Sequence, residues 1–210
     1  MTKSGPSGGA RRAKALRFPT FNPEPSARAG VKVLRAAGVE FAVIGRVAVW
    51  MYVPPERQAY TKDVDFAVPH SAFPRVIEAA REEGYSLNPL PIGGWALRAK
   101  GIAVDFIDRH PELGALFAAA IRAARETGCR ARVGRLSVPV VPIDFLIAMK
   151  VATGEPKDES DVEALVQAVP DAAYAPLRAL VRKYLGPAGA LRLDVIARRV
   201  GHPGPGRRPY

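Results

Sequence analysis

The clearest chemical signal in the sequence is a pair of carboxylates one residue apart, in Asp63-Val64-Asp65-Phe66. Strand side chains alternate between faces, so Asp63 and Asp65 would point one way while Val64 and Phe66 point into a core. Like charges that close repel unless something positive lies between them, and Mg²⁺ takes one or two carboxylates together with substrate phosphates. A third acid, Asp105, is embedded in Val104-Asp105-Phe106-Ile107, again one carboxylate among core residues. Three strand-borne carboxylates converging on one sheet face would make a metal site suited to phosphoryl or nucleotidyl transfer. Two would grip Mg²⁺ (or Mn²⁺) and a donor triphosphate. The third would help hold a second ion and take the proton of the attacking hydroxyl. The alternative has Asp105 bordering the sheet edge or paired with an arginine such as Arg98.

These acids need strands beneath them and helices around them. An apolar run at 41–44 ends at Gly45, which predicts a strand over 40–44, a short helix over 46–52 and a stop at Pro54-Pro55. The acidic strand covers 63–68. A helix capped by Ser26 runs to 37 and ends at Gly38, and another opens at Pro69 and Ser71 and ends at Gly84. An edge strand begins at 85–87. Two strands follow at 95–100 and 102–107 around Gly101, then a helix over 111–127 and a hairpin over 130–133 and 136–140. From Ile143 the pattern is helical, over 143–153, 158–169, 175–185 and 188–200. The fold class is therefore α/β (α+β), a mixed sheet with flanking helices followed by a C-terminal helical domain. The expected divisions are a flexible basic leader at 1–23, an α/β domain at 24–141, a helical domain at 142–200 and a flexible basic tail at 201–210.

Composition narrows the alternatives. A chain of 210 residues, 48% apolar and 24% charged, can bury a core of its own. It has no apolar run long enough for a membrane helix and no secretory h-region, which predicts a cytoplasmic protein without membrane attachment. The single Cys129 excludes an intramolecular disulfide and a multi-Cys zinc site, and His70, His110 and His202 lack metal-ligand spacing. Of the net charge of +11, five charges fall in residues 1–17 and four in 198–210, where no acid offsets them, leaving +2 for 18–197. Such tails can hold RNA or another polyanion by counterion release, or serve only solubility.

The order of motifs carries a resemblance. Gly45 with a short helix, then an arginine and Thr61-x-Asp63-x-Asp65, then a separate strand centred on Asp105, resembles the nucleotidyltransferase superfamily of the polymerase-β type. Residues 142–165, PIDFLIAMKVATGEPKDESDVEAL, are similar to the helical part of AbiEii-type toxins and related small nucleotidyltransferases. Those proteins carry a lysine in a Leu-Ile-x-x-Lys helix and then Lys-Asp-x-x-Asp. The resemblance spans roughly residues 30–168.

The resemblance implies a nucleotidyltransferase fold and the transfer of an NMP from an NTP to an acceptor hydroxyl on RNA, a protein or a small molecule. Asp63 and Asp65 would be metal ligands and Asp105 the third carboxylate. Gly45 would start the helix whose amides meet the donor phosphates, and Arg46 could add its guanidinium fork. Arg57 and Thr61 would lie near the mouth, and Lys150 would reach the triphosphate as a point charge. Asp158 or Asp161 matches the acidic motif of the AbiEii-type toxins; a toxin role would make an antitoxin protein a partner. Asp158 has a second reading, as an N-cap or first-turn acid complementing the helix dipole. One departure stands out: Gly45-Arg46 replaces the Gly-Gly or Gly-Ser of the family. It leaves open a catalytically silent nucleotide- or RNA-binding module on the same fold.

Overall fold

The structure is a computed structural model that describes residues 14–15 and 22–202. In chain order its elements are β1 (Lys14–Ala15), α1 (Glu24–Ala36), β2 (Ala42–Ile44), α2 (Gly45–Val49), β3 (Val64–Ala67) and α3 (Phe73–Glu82). They continue with β4 (Leu87–Pro89), β5 (Trp95–Ala99), β6 (Ile102–Ile107), α4 (Gly114–Thr127), β7 (Arg130–Val133) and β8 (Leu136–Pro139). The chain closes with α5 (Ile143–Thr153), α6 (Pro156–Val166) and α7 (Asp171–Arg199). Lys14–Ala15 pairs in parallel with β7, inside the stretch expected to be a flexible leader. The rest of the expected leader up to residue 21, and the expected tail from 203, lie outside the described residues.

Alternation in the acidic segments sets the layers. Val64, Phe66, Val104 and Phe106 are fully buried on one face of a five-stranded mixed sheet ordered β2-β3-β6-β5-β4. In it β3 and β6 run parallel, while the β2–β3, β5–β6 and β4–β5 pairs are antiparallel. Phe66 stacks on Phe106 at 6.1 Å and meets the edge of Phe41 at 5.6 Å. Helix α1 packs across this face. It can come close because residue 30 is glycine: a Cβ there would lie 2.4 Å from the Phe66 ring. The opposite face carries Asp65 and Asp105 and is closed by α2, with α5 and α6 packed on α2. β7 and β8 form the expected hairpin, and a parallel bridge from Val140 to Val43 joins it to the main sheet. The expected mixed sheet, flanking helices and C-terminal helical region are thus all present.

Boundaries moved where side chains found distant partners. Ser26 does not cap α1; Pro23 holds the N-cap position and Ser26 is buried inside the first turns. Its Oγ instead accepts a hydrogen bond from the Ala103 amide at 3.1 Å, tying α1 to β6. Helix α2 starts at Gly45 itself, with φ +65°, and ends at Val49 rather than 52. Helix α3 begins at Phe73 after a 3₁₀ turn at His70–Ala72, and α4 begins at Gly114, beyond a cis His110–Pro111 bond. The edge strand sits at Leu87–Pro89, two residues late.

The last two expected helices form one element broken at Gly186 (φ 71°, ψ −172°), and its two arms fold back on each other. Tyr174 and Arg178 on the first arm both reach Asp194 on the second, at 3.0 Å and 2.9 Å. On the second arm Arg192 donates to the Gly154 carbonyl at 3.1 Å and to that of Val151 at 3.4 Å, covering the C-terminal end of α5. No helix among the described residues is long and apolar enough to cross a membrane.

Candidate active site

Parallel pairing of β3 with β6 puts Asp65 directly beside Asp105 in register. Asp63 lies in the bend just before β3 rather than on the strand, yet keeps the same side two residues upstream. Carboxylate oxygens of all three come within 4.8 Å of one another. Thr61, itself buried, donates its hydroxyl to Asp63 Oδ1 at 2.6 Å and so fixes that carboxylate. Gly45 makes room for Asp65: a Cβ at residue 45 would fall 1.8 Å from Asp65 Oδ2. Its positive φ adds a second reason for glycine there.

Both readings of Asp105 are realised together. It converges with the other two acids, and Arg98 Nη2 sits 2.6 Å from its Oδ1. Arg98 is further held by donating to the carbonyls of Val104 (2.8 Å) and Leu97 (3.0 Å). One arginine does not neutralise three carboxylates. Burial, and then the negative charges of Asp63 and Asp105, push the Asp65 carboxyl up to about 8. Three carboxylates converging as an all-oxygen cluster fit a hard divalent cation, whose charge would offset their mutual repulsion.

The acids border a cavity of about 480 Å³. Gly45, Thr61 and Ile107 line it from the sheet side, and Leu146, Met149, Lys150, Thr153 and Asp158 from α5 and α6. Lys62, Arg109 and Lys157 add positive charge to its walls. Of these three, Lys62 and Lys157 had a signal in the sequence, as the lysines just before Asp63 and Asp158. Arg109 had none, since the turn after β6 is what aims it.

Several expected site residues have other engagements. Lys150 is buried, at 7% exposure, and its ammonium lies 2.7 Å from Asp158 Oδ1 and 2.7 Å from Asp161 Oδ2. It borders the cavity as the centre of an ion cluster rather than as a lone charge. Thr153 donates to the other Asp158 oxygen at 2.6 Å. Burial works to raise the Asp158 carboxyl, but Lys150, Thr153 and Lys157 outweigh it and hold the group below its ordinary value. Asp158 is a first-turn acid of α6, whose N-cap position belongs to Glu155. Asp161 stands behind the cavity wall. Arg46 lines the cavity with its guanidinium engaged: Nε donates to Asp161 Oδ2 at 3.5 Å and Nη1 to the Tyr60 carbonyl at 2.8 Å. Arg57 is not brought to the acids; it borders a separate recess with Ser160, Glu163 and Gln167.

No protein-family model matches the chain, and no curated protein matches it. Among solved structures it is similar to an antigenic nucleotidyltransferase-like protein from Paracoccidioides brasiliensis, at 13% identity and a TM-score of 0.48, over 86% of this chain and 93% of that one. It is also similar to the antibiotic-resistance factor ANT(2'')-Ia, at 11% identity and a TM-score of 0.46, over 85% and 94% of the two chains. A third is a putative nucleotidyltransferase from H. pylori, at 17% identity and a TM-score of 0.37, over 86% and 93%. By name the first of these is a nucleotidyltransferase-like protein and the third a putative nucleotidyltransferase. At such identities and scores the likeness transfers no residue role to this chain.

Proposed function

We propose that this protein is a metal-dependent nucleotidyltransferase that moves an NMP from an NTP to an acceptor hydroxyl. The observation that supports this reading above the others is the approach of Asp63, Asp65 and Asp105 to within 4.8 Å beside a cavity whose walls carry Lys62, Arg109 and Lys157. The volume is in the range of pockets that take ligands of nucleotide size. Asp63, Asp65 and Asp105 would hold the divalent cations, with Thr61 fixing the orientation of Asp63. Bound there, Mg²⁺ or Mn²⁺ would offset charge on the triphosphate and favour ionisation of the attacking hydroxyl. Lys62, Arg109 and Lys157 would attract the triphosphate from the cavity walls. Asp105 would accept the acceptor's proton as its oxygen bonds to the α-phosphorus and the bond to pyrophosphate breaks, which requires Arg98 to yield its contact. Arg46, with its side chain directed to Tyr60 and Asp161, supports the cavity wall instead of standing where a small residue would meet phosphate.

The test is label transfer. Purified protein is incubated with each α-labelled NTP, Mg²⁺ or Mn²⁺, and cellular RNA, protein and small-molecule fractions, beside an Asp63→Asn/Asp65→Asn variant. Label on one fraction, absent with the variant, establishes the activity and names the acceptor class. Metal-dependent NTP binding without transfer would leave a nucleotide-binding module that has lost its chemistry. Neither binding nor transfer would refute the proposal.

A further inference from the structure

Among the described residues only four large apolar side chains stand exposed, and two of them, Tyr60 (53%) and Ile92 (46%), line the cavity that holds the three acids. They come from separate segments, Tyr60 from the loop before β3 and Ile92 from the turn between β4 and β5. Both backbones are pinned. Arg46 donates to the Tyr60 carbonyl at 2.8 Å, Trp50 Nε1 to the Ala59 carbonyl at 2.9 Å, and Gln58 to the Trp50 carbonyl at 3.1 Å. The next residue, Thr61, is fixed on Asp63. Around Ile92 the Leu90 amide donates to the Gly94 carbonyl at 2.9 Å and the Gly93 amide to the Leu90 carbonyl at 3.1 Å. Gly94 is pressed so closely on β6 that a Cβ would fall 2.0 Å from the Phe106 oxygen.

An aromatic ring and an aliphatic side chain at the rim of a charged cavity suit a flat, apolar-faced ligand better than a phosphate. Tyr60 precedes Asp63 by three residues, a chain distance of about 10 Å at most. That is within the reach of one nucleotide from its base to its α-phosphate. We infer that Tyr60 and Ile92 form a nucleobase subsite, with Arg46 as the residue that positions Tyr60. The inference rests on the nucleotidyltransferase reading and adds to it a place for the base, which belongs either to the donor NTP or to the terminal nucleotide of an RNA acceptor. Stacking on tyrosine is tolerant of base identity, because every base has a π face.

Calorimetric titration of the full chain in Ca²⁺ with ATP, inorganic tripolyphosphate and a short oligoadenylate separates the cases. Tyr60→Ala is expected to weaken ATP about tenfold, the scale of one base–aromatic stack, and to leave tripolyphosphate within about twofold. Tyr60→Phe should bind as wild type, and Ile92→Ala should show a smaller loss of the same kind. A tenfold loss confined to the oligoadenylate would give the subsite to the acceptor's base and still support it. Tyr60→Ala binding ATP and oligoadenylate like wild type, or losing tripolyphosphate equally, would overturn the inference and leave the nucleotidyltransferase reading standing. Wild-type protein that bound none of the three would overturn both.

Discussion

At the scale of single residues, the three acids act on one another before any ligand arrives. Asp65 has its carboxyl pushed up to about 8, above its unfolded value, so its contribution to stability is fully present below about pH 4 and is lost as pH rises through about 8. Asp63 supplies the larger of the two charge effects on Asp65. Asp63→Asn keeps an acceptor for Thr61 and removes that charge. The metal-free variant should melt about 1–3 °C higher than wild type at pH 8, with a shallower fall in Tm between pH 5 and 9. The fall should persist in part, because burial is the larger cause. Added Mg²⁺ or Mn²⁺ should raise the wild-type Tm and leave that of the variant almost unchanged. Thermal melts across pH, with and without metal, check each part.

Asp65 and Asp105 were legible in the sequence because each is flanked by residues that could only be core, and alternation then fixes which way a carboxylate points. Asp63, which follows Lys62 in a bend, was legible only by its spacing from Asp65. Arg46 was not legible in the same way. Its partner Asp161 is 115 positions distant, and no local pattern announces so remote a pairing. The Arg98 contact was foreseeable as one of two options; that both hold at once depends on β5 pairing antiparallel to β6 with Arg98 opposite Ala103, two residues from Asp105.

At the scale of elements, the α5–α6 corner is held by charge as much as by apolar packing. Lys150 on α5 bridges Asp158 and Asp161 on successive turns of α6, and all three side chains are at most 10% exposed. Removing one member strands the others without compensation. Lys150→Met should cost about 3–5 kcal/mol in urea unfolding. Adding Asp158→Asn to it should recover part of that loss, because it removes one of the stranded charges. A variant that lost nucleotide binding at unchanged stability would instead give Lys150 a direct role at the phosphates. Asp158 titrates below its ordinary value, so its share of stability is present above the usual carboxylate range and is lost as pH falls through the folded value. Helix α5 itself could be read residue for residue, since Pro142 before it and Gly154 after it mark its limits. The start of α1 could not, because Ser26 found a better partner in the Ala103 amide than in its own first turn. Arg57, which the resemblance put near the mouth, lies elsewhere for a related reason: a short motif says nothing about where a proline-rich loop turns.

At the scale of the whole molecule, the second arm of α7 braces the helical region against the cavity wall. The return at Gly186 brings Arg192 onto the carbonyls of Val151 and Gly154, at the end of the helix that carries Lys150. Arg192→Ala should lower stability by about 1–2 kcal/mol in chemical denaturation, the scale of losing charged donors to two carbonyls. Amide exchange should quicken at the C-terminal turn of α5, while the sheet stays as protected as in wild type. The α/β-then-helical order was plain from the change of periodicity at Ile143. The return of the last helix was signalled only by Gly186-Pro187, which announces a break but not its direction.

The contact between Arg192 and Gly154 also links the histories of the two positions. Residue 154 has a φ of +71°, and a Cβ there would lie 2.2 Å from Arg192 Nη1. A lineage that placed a larger side chain at 154 would have to shorten or redirect the arginine, and one that lost the arginine would relieve only the steric half of the constraint on the glycine. Drift should therefore proceed in one order, with Arg192 changing before Gly154.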